Sequence, residues 1–205
     1  MDPLSQGIVG SVAAQQKSSK EKILLITIIG FLSGMAPDLD VFIRSSHDPL
    51  LAIEFHRQFT HSLIFIPFGG FICGTFFYHV LTKRRGMSIK ETYLYCTLAY
   101  ASHGILDACT SYGTQLFWPF NDFRVAWNTI SIVDPIFTIT LFTLVFLSIF
   151  RRKTIFARIA LIWVITYMSI GLIQHNRAEK VGLLNADSRG HIPARIVVKP
   201  SLANL

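Results

Sequence analysis

Long runs of hydrophobic residues dominate the chain, and polar residues collect between them. Five of these runs have about the length of 20 residues that a helix needs to cross a bilayer core. The runs are residues 23–43, 62–81, 92–109, 130–150 and 156–173. Residues 1–16 are mildly apolar and rich in small residues, which predicts a shorter helix. The pattern therefore predicts an all-α integral membrane helical bundle of five or six helices.

The composition supports a membrane protein. Of the 205 residues, 51% are hydrophobic and 15% are charged, whereas a soluble domain carries about 25% charged residues. This balance disfavours an ordinary soluble enzyme, a coiled coil and a disordered chain. The net charge of +7 is common in nucleic-acid-binding proteins, but in a membrane protein it usually marks cytoplasmic loops. We therefore expect the lipid bilayer, and no nucleic acid, as a partner.

The basic residues are distributed unevenly between the two ends of the predicted spans. Ten lie in the connections at one end: Lys17, Lys20, Lys22, Lys83, Arg84, Arg85, Lys90, Arg151, Arg152 and Lys153. Three lie in the connections at the other end: Arg44, Arg57 and Arg124. The positive-inside rule places the ten-charge end in the cytoplasm. Five further basic residues in the C-terminal tail conflict with this orientation, which leaves the fifth span the least supported.

Histidine and aspartate residues collect where the spans begin or end on the non-cytoplasmic side. They are Asp38, Asp40, His56, His61, His103, Asp107 and Asp134. These residues come from four separate segments, and the direction of the chain brings all four to the same level. Independent segments would rarely place so many metal-binding side chains together, so we predict one site at this level.

The pair Asp38 and Asp40 ends the first strong span. Residues two apart point in different directions on a helix, but Pro37 interrupts the helix and allows both carboxylates to face one cation. Carboxylates at a bilayer boundary are costly unless they are paired or bound to a metal. The alternative is a simple polar cap on the span.

His56 and His61 precede the second span. A separation of five turns a helix by about 140°, so convergence requires one histidine in a loop and one at a helix start, with Thr60 as the N-cap. Arg57 is suited to hold a phosphate or carboxylate of a substrate. The alternative for Arg57 is an anchor at the membrane interface.

His103 and Asp107 lie four residues apart, which places both on one face of a helix. They could be two metal ligands, or Asp107 could orient a ligating His103. The alternative is a buried structural hydrogen bond between them.

Asp134 precedes Pro135, which is favourable in the first turn of a helix, so Asp134 is either a site residue or an N-cap.

A mixed set of histidine and aspartate ligands suits zinc best, and manganese or magnesium would also be accepted. The predicted metal ligands are Asp38, Asp40, His56, His61, His103 and Asp107, and the predicted catalytic residues are Asp107, Arg57 and Asp134. The sequence has no nucleophile elbow, no phosphate-binding Gly-Lys loop and no dinucleotide glycine pattern. Covalent serine catalysis and nucleotide binding are therefore disfavoured.

The connection 110–129 is rich in aromatic residues, which prefer the headgroup level of a bilayer. We predict an interfacial loop that lies over the site. A plain aromatic belt is the alternative.

Several short motifs occur in a defined order along the first two thirds of the chain. They are Asp2-Pro3-Leu4-Ser5-Gln6, Pro37-Asp38-Leu39-Asp40, His56-Arg57 with Thr60-His61-Ser62, Ser102-His103 with Leu106-Asp107, Thr110-Ser111-Tyr112-Gly113-Thr114-Gln115, Pro119-Phe120 and Val133-Asp134-Pro135. With this combination the chain resembles the YdjM-like inner-membrane proteins, a family in which some members are associated with LexA regulation.

The resemblance implies a membrane-bound, metal-dependent hydrolase with a distant similarity to zinc-dependent phospholipase C. It also implies a bacterial inner (cytoplasmic) membrane location. Short members of the family carry Thr-His near the N-terminus where this chain has Ser5-Gln6, so a ligand is missing or is replaced by Asp2.

Together these observations predict hydrolysis of a phosphoester or lipid-like substrate at the extracytoplasmic membrane surface. A transporter or ion pathway that uses intramembrane His and Asp residues is one alternative, and a non-catalytic metal-binding scaffold is another. We expect residues 1–175 to form the membrane-embedded domain and residues 176–205 an extramembrane tail. The pattern of residues 192–205 predicts a strand-like segment that stops abruptly at Ala203-Asn204-Leu205. We therefore expect either a shortened form of the protein or one that has lost a C-terminal extracytoplasmic portion.

Overall fold

The computed structural model describes residues 1–45, 47, 48 and 50–201. Within these residues the chain is all-helical, with seven α-helices and no strand. They are α1 (Pro3–Gln15), α2 (Ile23–Met35), α3 (Leu51–Phe55), α4 (Ile66–Phe77), α5 (Ile89–Ala108), α6 (Pro135–Arg151) and α7 (Ile155–Ser188). The predicted all-α bundle is confirmed. Six of these helices match the five predicted spans and the predicted N-terminal helix, and the five-residue α3 is additional.

The helix ends that surround the site follow from local sequence. Asp2 caps α1, because its side chain accepts a hydrogen bond from the backbone N–H of Ser5 at 2.9 Å. As predicted from Pro37, α2 stops at Met35, and a 3₁₀ turn over Ala36–Phe42 follows. This turn carries Asp38 and Asp40 away from the helix axis.

The bundle is built around α5. Helices α1, α2 and α4 all pack against α5, while α6 and α7 pack against each other and against α1. The close approach of α1 and α2 depends on glycine, because a Cβ at Gly10 would lie only 2.8 Å from the Cα of Gly34. Small residues at such crossings are typical of helices that pack in membranes.

Two groups of buried hydrophobic residues hold the bundle together. One joins α1, α6 and α7 around Phe137, Leu141 and Tyr167. The other joins α2, α4 and α5 around Ile26 and Cys96. The three cysteines are buried and unpaired, as their apolar surroundings predict.

Among the described residues, three helical segments are long and apolar enough to cross a membrane: Ile23–Phe42, Leu63–Arg85 and Ile155–Ser188. Pro135–Arg151 is apolar but shorter. The third predicted span forms α5, which does not reach the same hydropathy. Its polar residues lie at the centre of the bundle, and Thr92, His103 and Asp107 are fully buried. Neighbouring helices therefore shield these three side chains from lipid.

The C-terminal region differs from the sequence prediction. Helix α7 continues to Ser188, so residues on both sides of position 175 belong to one helix, and the domain boundary expected there stays a prediction. Residues 192–201 do not form the expected strand, because no neighbouring strand offers backbone partners in the described part of the chain. Residues 202–205, on which the expected abrupt end rests, lie outside the described residues.

Candidate metal centre

Three parts of the chain meet at one end of the bundle. They are the turn that follows α2, the irregular segment 56–61 that precedes α4, and the last two turns of α5. Six of the seven predicted site residues meet there: Asp38, Asp40, His56, His61, His103 and Asp107. Their side chains form two groups of metal-binding atoms that share Asp38.

The first group consists of Asp38, His61, His103 and Asp107, whose ligand atoms all lie within 4.8 Å of one another. The two imidazoles face each other, with 2.9 Å between His61 Nε2 and His103 Nε2. Asp38 Oδ1 lies 3.4 Å from His61 Nε2 and 3.3 Å from His103 Nε2. Asp107 Oδ2 lies 3.4 Å and 3.9 Å from the same two nitrogens.

These spacings fit a tetrahedral ion. Zinc binds histidine nitrogen and carboxylate oxygen at about 2.0–2.2 Å, so two ligand atoms of a tetrahedral site lie about 3.3–3.6 Å apart. The five measured separations in the first group range from 2.9 to 3.9 Å. The group therefore has the size and the donor types of a zinc site.

Hydrogen bonds at the opposite edge of each imidazole direct its lone pair into the group. His103 Nδ1 lies 2.6 Å from the carbonyl oxygen of Gly34, so it is the Nδ1–H that donates. The Thr60 hydroxyl donates to Asp40 Oδ2 at 2.8 Å, and therefore accepts from His61 Nδ1 at 2.9 Å. In the neutral form of each ring, Nε2 is then the unprotonated nitrogen that a metal binds.

The electrostatics of the first group favour a positive charge at its centre. Burial disfavours the charged form of His61, but the neighbouring carboxylates of Asp107, Asp38 and Asp40 outweigh it and raise the pKa of His61 to about 10. Two facing Nε2 lone pairs and the nearby carboxylates repel one another unless a proton or a metal ion lies between them.

Asp107 is the most enclosed member of the group. Its Oδ1 accepts a hydrogen bond from Gln6 Nε2 at 2.7 Å and contacts the amino group of Met1. Its Oδ2 is buried and accepts no hydrogen bond, although Arg57 Nε lies 3.1 Å away. A buried carboxylate oxygen without a hydrogen bond is rare, and its position beside His61 Nε2 suits a metal ligand.

Arg57 is held in an uncommon conformation next to Asp107. Its φ of 65° is positive, which is unfavourable for a residue with a side chain. The backbone N–H donates to Asp40 Oδ2 at 3.2 Å, and the guanidinium donates to Thr110 Oγ1 at 3.2 Å and lies 5.0 Å from the centre of the Tyr112 ring. These contacts fix a buried cation at the edge of the candidate metal centre.

Asp40 and His56 belong with Asp38 to the second group. Asp40 Oδ1 accepts a hydrogen bond from His56 Nδ1 at 2.7 Å, and Oδ2 accepts from Arg57 and Thr60. Asp40 thus positions residues around the first group. The structure thus divides the six residues of the one predicted site into two groups, and the prediction that Asp40 and His56 are themselves ligands stays a prediction.

Asp134 is not part of either group of metal-binding atoms found among the described residues. Its Oδ1 caps α6 by accepting from the Phe137 N–H at 3.2 Å, and its Oδ2 accepts from the Tyr167 hydroxyl at 2.7 Å. Both carboxylate oxygens are therefore occupied, and the residue is buried. The structure supports the N-cap alternative, and a catalytic role for Asp134 stays a prediction.

Replacing Asp134 by alanine should lower stability without changing metal content. The variant loses an N-cap and leaves the buried Tyr167 hydroxyl without its partner, each costing about 1–2 kcal/mol. Thermal unfolding in detergent, combined with elemental analysis of the same preparation, checks this expectation. Loss of metal from a folded Asp134→Ala protein would return Asp134 to the site.

The aromatic connection 110–129 packs against the segment that carries the histidines. The N–H of Gln115 donates to the Arg57 carbonyl at 3.0 Å, and the N–H of Leu63 donates to the Leu116 carbonyl at 2.9 Å. Phe120 and Phe123 remain exposed. The connection thus lies beside the site, and its exposed aromatic residues also suit the headgroup level of a bilayer.

Sequence reasoning missed the supporting roles of three residues. Gln6 donates to Asp107, Thr110 accepts from Arg57, and Thr60 bonds Asp40 and His61 instead of capping the next helix. The departure from the family pattern at Ser5-Gln6 was a usable indication for Gln6. It is Gln6, and not Asp2, that touches the candidate metal centre.

Comparison with known proteins agrees with the membrane character of the fold. The model of the YdjM inner membrane protein family matches residues 1–178. The chain is also similar to the inner membrane protein YbcI of Escherichia coli (strain K12), with 25% identity over 154 residues, covering 72% of this chain and 82% of that protein. No solved structure matches the chain.

Proposed function

Because the chain belongs to the YdjM inner membrane protein family, we propose that it is a metal-dependent hydrolase of the inner membrane. Its substrate is a phosphoester or lipid-like molecule at the extracytoplasmic surface, the side to which the distribution of basic residues assigns the site. The proposed ion is divalent, with zinc preferred over manganese and magnesium because two of the four ligands in the first group are histidines.

One observation carries the proposal: a near-tetrahedral set of two histidines and two aspartates is open to a cavity on one side. Asp38 keeps 21% of its side chain exposed, whereas His61, His103 and Asp107 are buried. Asp38, His56 and Arg57 all line a cavity that reaches the surface. A substrate can therefore approach the ligand set from the Asp38 side.

A divalent ion, when bound, supplies a Lewis acid that lowers the pKa of water and polarises a phosphoryl or acyl group. The residues of this chain provide the surroundings. Asp40 orients His56 by a direct hydrogen bond and His61 through the Thr60 hydroxyl, and Arg57 presents a fixed cation to an anionic oxygen of the substrate. Asp107 holds Arg57 in place while its Oδ2 faces the ligand set.

The depth of the charged groups favours the hydrolase over an ion pathway. Every titratable residue of the two groups lies at one end of the bundle. The deeper buried polar residues of α1 and α2 are uncharged, and they bond one another: Gln15 Nε2 donates to Thr27 Oγ1 at 2.6 Å. Such pairs are typical of packing between membrane helices, whereas a proton relay requires titratable groups at several depths.

Metal removal tests the proposal directly. Purified protein should contain stoichiometric metal and hydrolyse either phospholipids or phosphomonoesters, and a chelator should abolish the hydrolysis until the ion is restored. Asp38→Asn should behave like the chelated protein, while Asp122→Asn, at an exposed position of the connection 110–129, should behave like the parent. Stoichiometric metal without hydrolysis of any of these substrates would favour the scaffold.

A further inference from the structure

Two cavities meet at the candidate metal centre, and their walls differ in character. Both are lined by Val41, His56 and Arg57. Their volumes are about 660 and 910 Å³, within the range of roughly 300–1,000 Å³ that is usual for ligand sites. A molecule that occupies both cavities passes directly over His56 and Arg57.

The larger cavity is an apolar groove between α2 and α4. It forms because both helices pack on α5 while making little contact with each other. We call it the lipid-facing groove and define it by Leu32, Leu39, Phe42, Ile72 and Phe76. These five side chains are exposed, and both walls belong to segments apolar enough to cross a membrane. The open side of the groove therefore faces hydrocarbon chains.

The smaller cavity is cationic. We call it the arginine cavity and define it by Arg44, Arg57 and Arg124. Asp48 is the single acidic residue among the described residues that line it. Arg124 is fixed by a hydrogen bond to the Glu54 carbonyl at 3.1 Å, and Arg44 by one to the Val41 carbonyl at 3.0 Å. Guanidinium groups held in this way suit a phosphate group.

The chemistry of the two cavities matches the two parts of one molecule. We infer that the site binds an anionic membrane phospholipid, with a hydrocarbon chain in the lipid-facing groove and the phosphate-bearing head group in the arginine cavity. This inference rests on the proposed function for its location, and it names the substrate class. It places the bonds between chain and head group next to His56 and Arg57.

Binding of a hydrolysis-resistant amphiphile tests the inference separately from catalysis. Dodecylphosphonate carries one hydrocarbon chain and an anionic head group joined by a C–P bond. Because this bond resists hydrolysis, the binding affinity is measured without catalytic turnover. Methylphosphonate has the same head without the chain. Both are titrated calorimetrically into the full-length protein, as purified, at a fixed concentration of dodecyl maltoside. Dodecylphosphonate should bind at least about tenfold more tightly, because chain burial contributes about 0.8 kcal/mol for each CH₂ and only part of the chain exchanges with detergent.

Two variants examine the cavities individually. Arg44→Gln should weaken the binding of both phosphonates about tenfold, since a charge-assisted hydrogen bond is lost. Ile72 is 59% exposed, and its replacement by tryptophan fills the groove. Ile72→Trp should therefore lower the affinity for dodecylphosphonate to that for methylphosphonate. Arg84→Gln serves as the control, because Arg84 is exposed and lies at the other end of the bundle. This variant should bind both phosphonates like the parent.

Each outcome separates this inference from the proposed function. Equal affinity of the parent for the two phosphonates, or parent-like binding by Arg44→Gln, overturns the phospholipid assignment even if the protein hydrolyses another ester. Chain-dependent binding that both variants weaken supports the assignment even if no hydrolysis is found, and the proposed function then fails alone.

Discussion

Replacement of His103 by alanine should remove the metal from the protein while leaving the bundle inserted and monodisperse in detergent. His103 Nε2 lies 2.9 Å from His61 Nε2 and 3.3 Å from Asp38 Oδ1, so it occupies one corner of the near-tetrahedral group. Loss of a residue that merely supports a ligand costs about 10–100-fold in metal affinity. Loss of a direct ligand should exceed this range, and elemental analysis with chelator competition measures it.

His79→Ala provides the matched control for this experiment. His79 is an exposed histidine in the turn Tyr78–Thr82, at the opposite end of α4 from the site, so its removal should leave the metal content unchanged. If His103 only formed a structural hydrogen bond to Gly34, its loss would lower the free energy of unfolding by about 1–3 kcal/mol, and the metal would be retained. Equal metal loss in the two variants would show that the metal ligands are not confined to one end of the bundle.

Gly104→Ala should weaken metal binding without altering any ligand. A Cβ at this position would overlap the backbone carbonyl oxygen of His61, and it would lie 3.5 Å from Leu116 Cδ2. The carbonyl belongs to the residue whose imidazole faces His103, so relief of the overlap must move His61 away from α5. We expect a loss of about 10–100-fold in metal affinity, as for other changes that misplace a ligand.

The comparison with Gly182→Ala makes this experiment specific. Gly182 is also helical, but a Cβ there would lie 3.4 Å from Ile196 Cγ2, which is an ordinary contact. This second variant should keep the parent's metal affinity, with circular dichroism confirming equal helix content in both. Parent-like affinity in a folded Gly104→Ala protein would contradict a shared ion between His61 and His103.

The site was predictable from the sequence to the extent that helix direction determines it. Alternating spans necessarily bring the ends of α2 and α5 and the start of α4 to one level, and this places Asp38, His61 and His103 together. The four-residue spacing of His103 and Asp107 also fixed their common face. These features depend only on the chain order and on the 3.6-residue helical period.

The roles of individual residues could not be obtained in this way. Asp134 lies at the same level, but its oxygens are taken by the Phe137 N–H and the Tyr167 hydroxyl. The Tyr167 partner comes from α7, and no sequence period relates the two residues. Thr60 similarly bonds Asp40 across an irregular turn. Side-chain partners in irregular segments depend on tertiary packing, which spacing along the chain does not encode.

The shortness of α1 has a consequence for how the protein enters the membrane. At 1.5 Å per residue, its 13 residues extend about 20 Å, less than the hydrocarbon core of about 30 Å. Ten of them are buried, including Gln6, Ser11 and Gln15. A segment so short, with polar side chains on its buried face, partitions weakly into lipid alone, so we expect α1 to enter as a hairpin with α2. Its Gln6 then reaches Asp107, 101 positions later, only after α5 has been synthesised and inserted, which makes the candidate metal centre a late product of biogenesis.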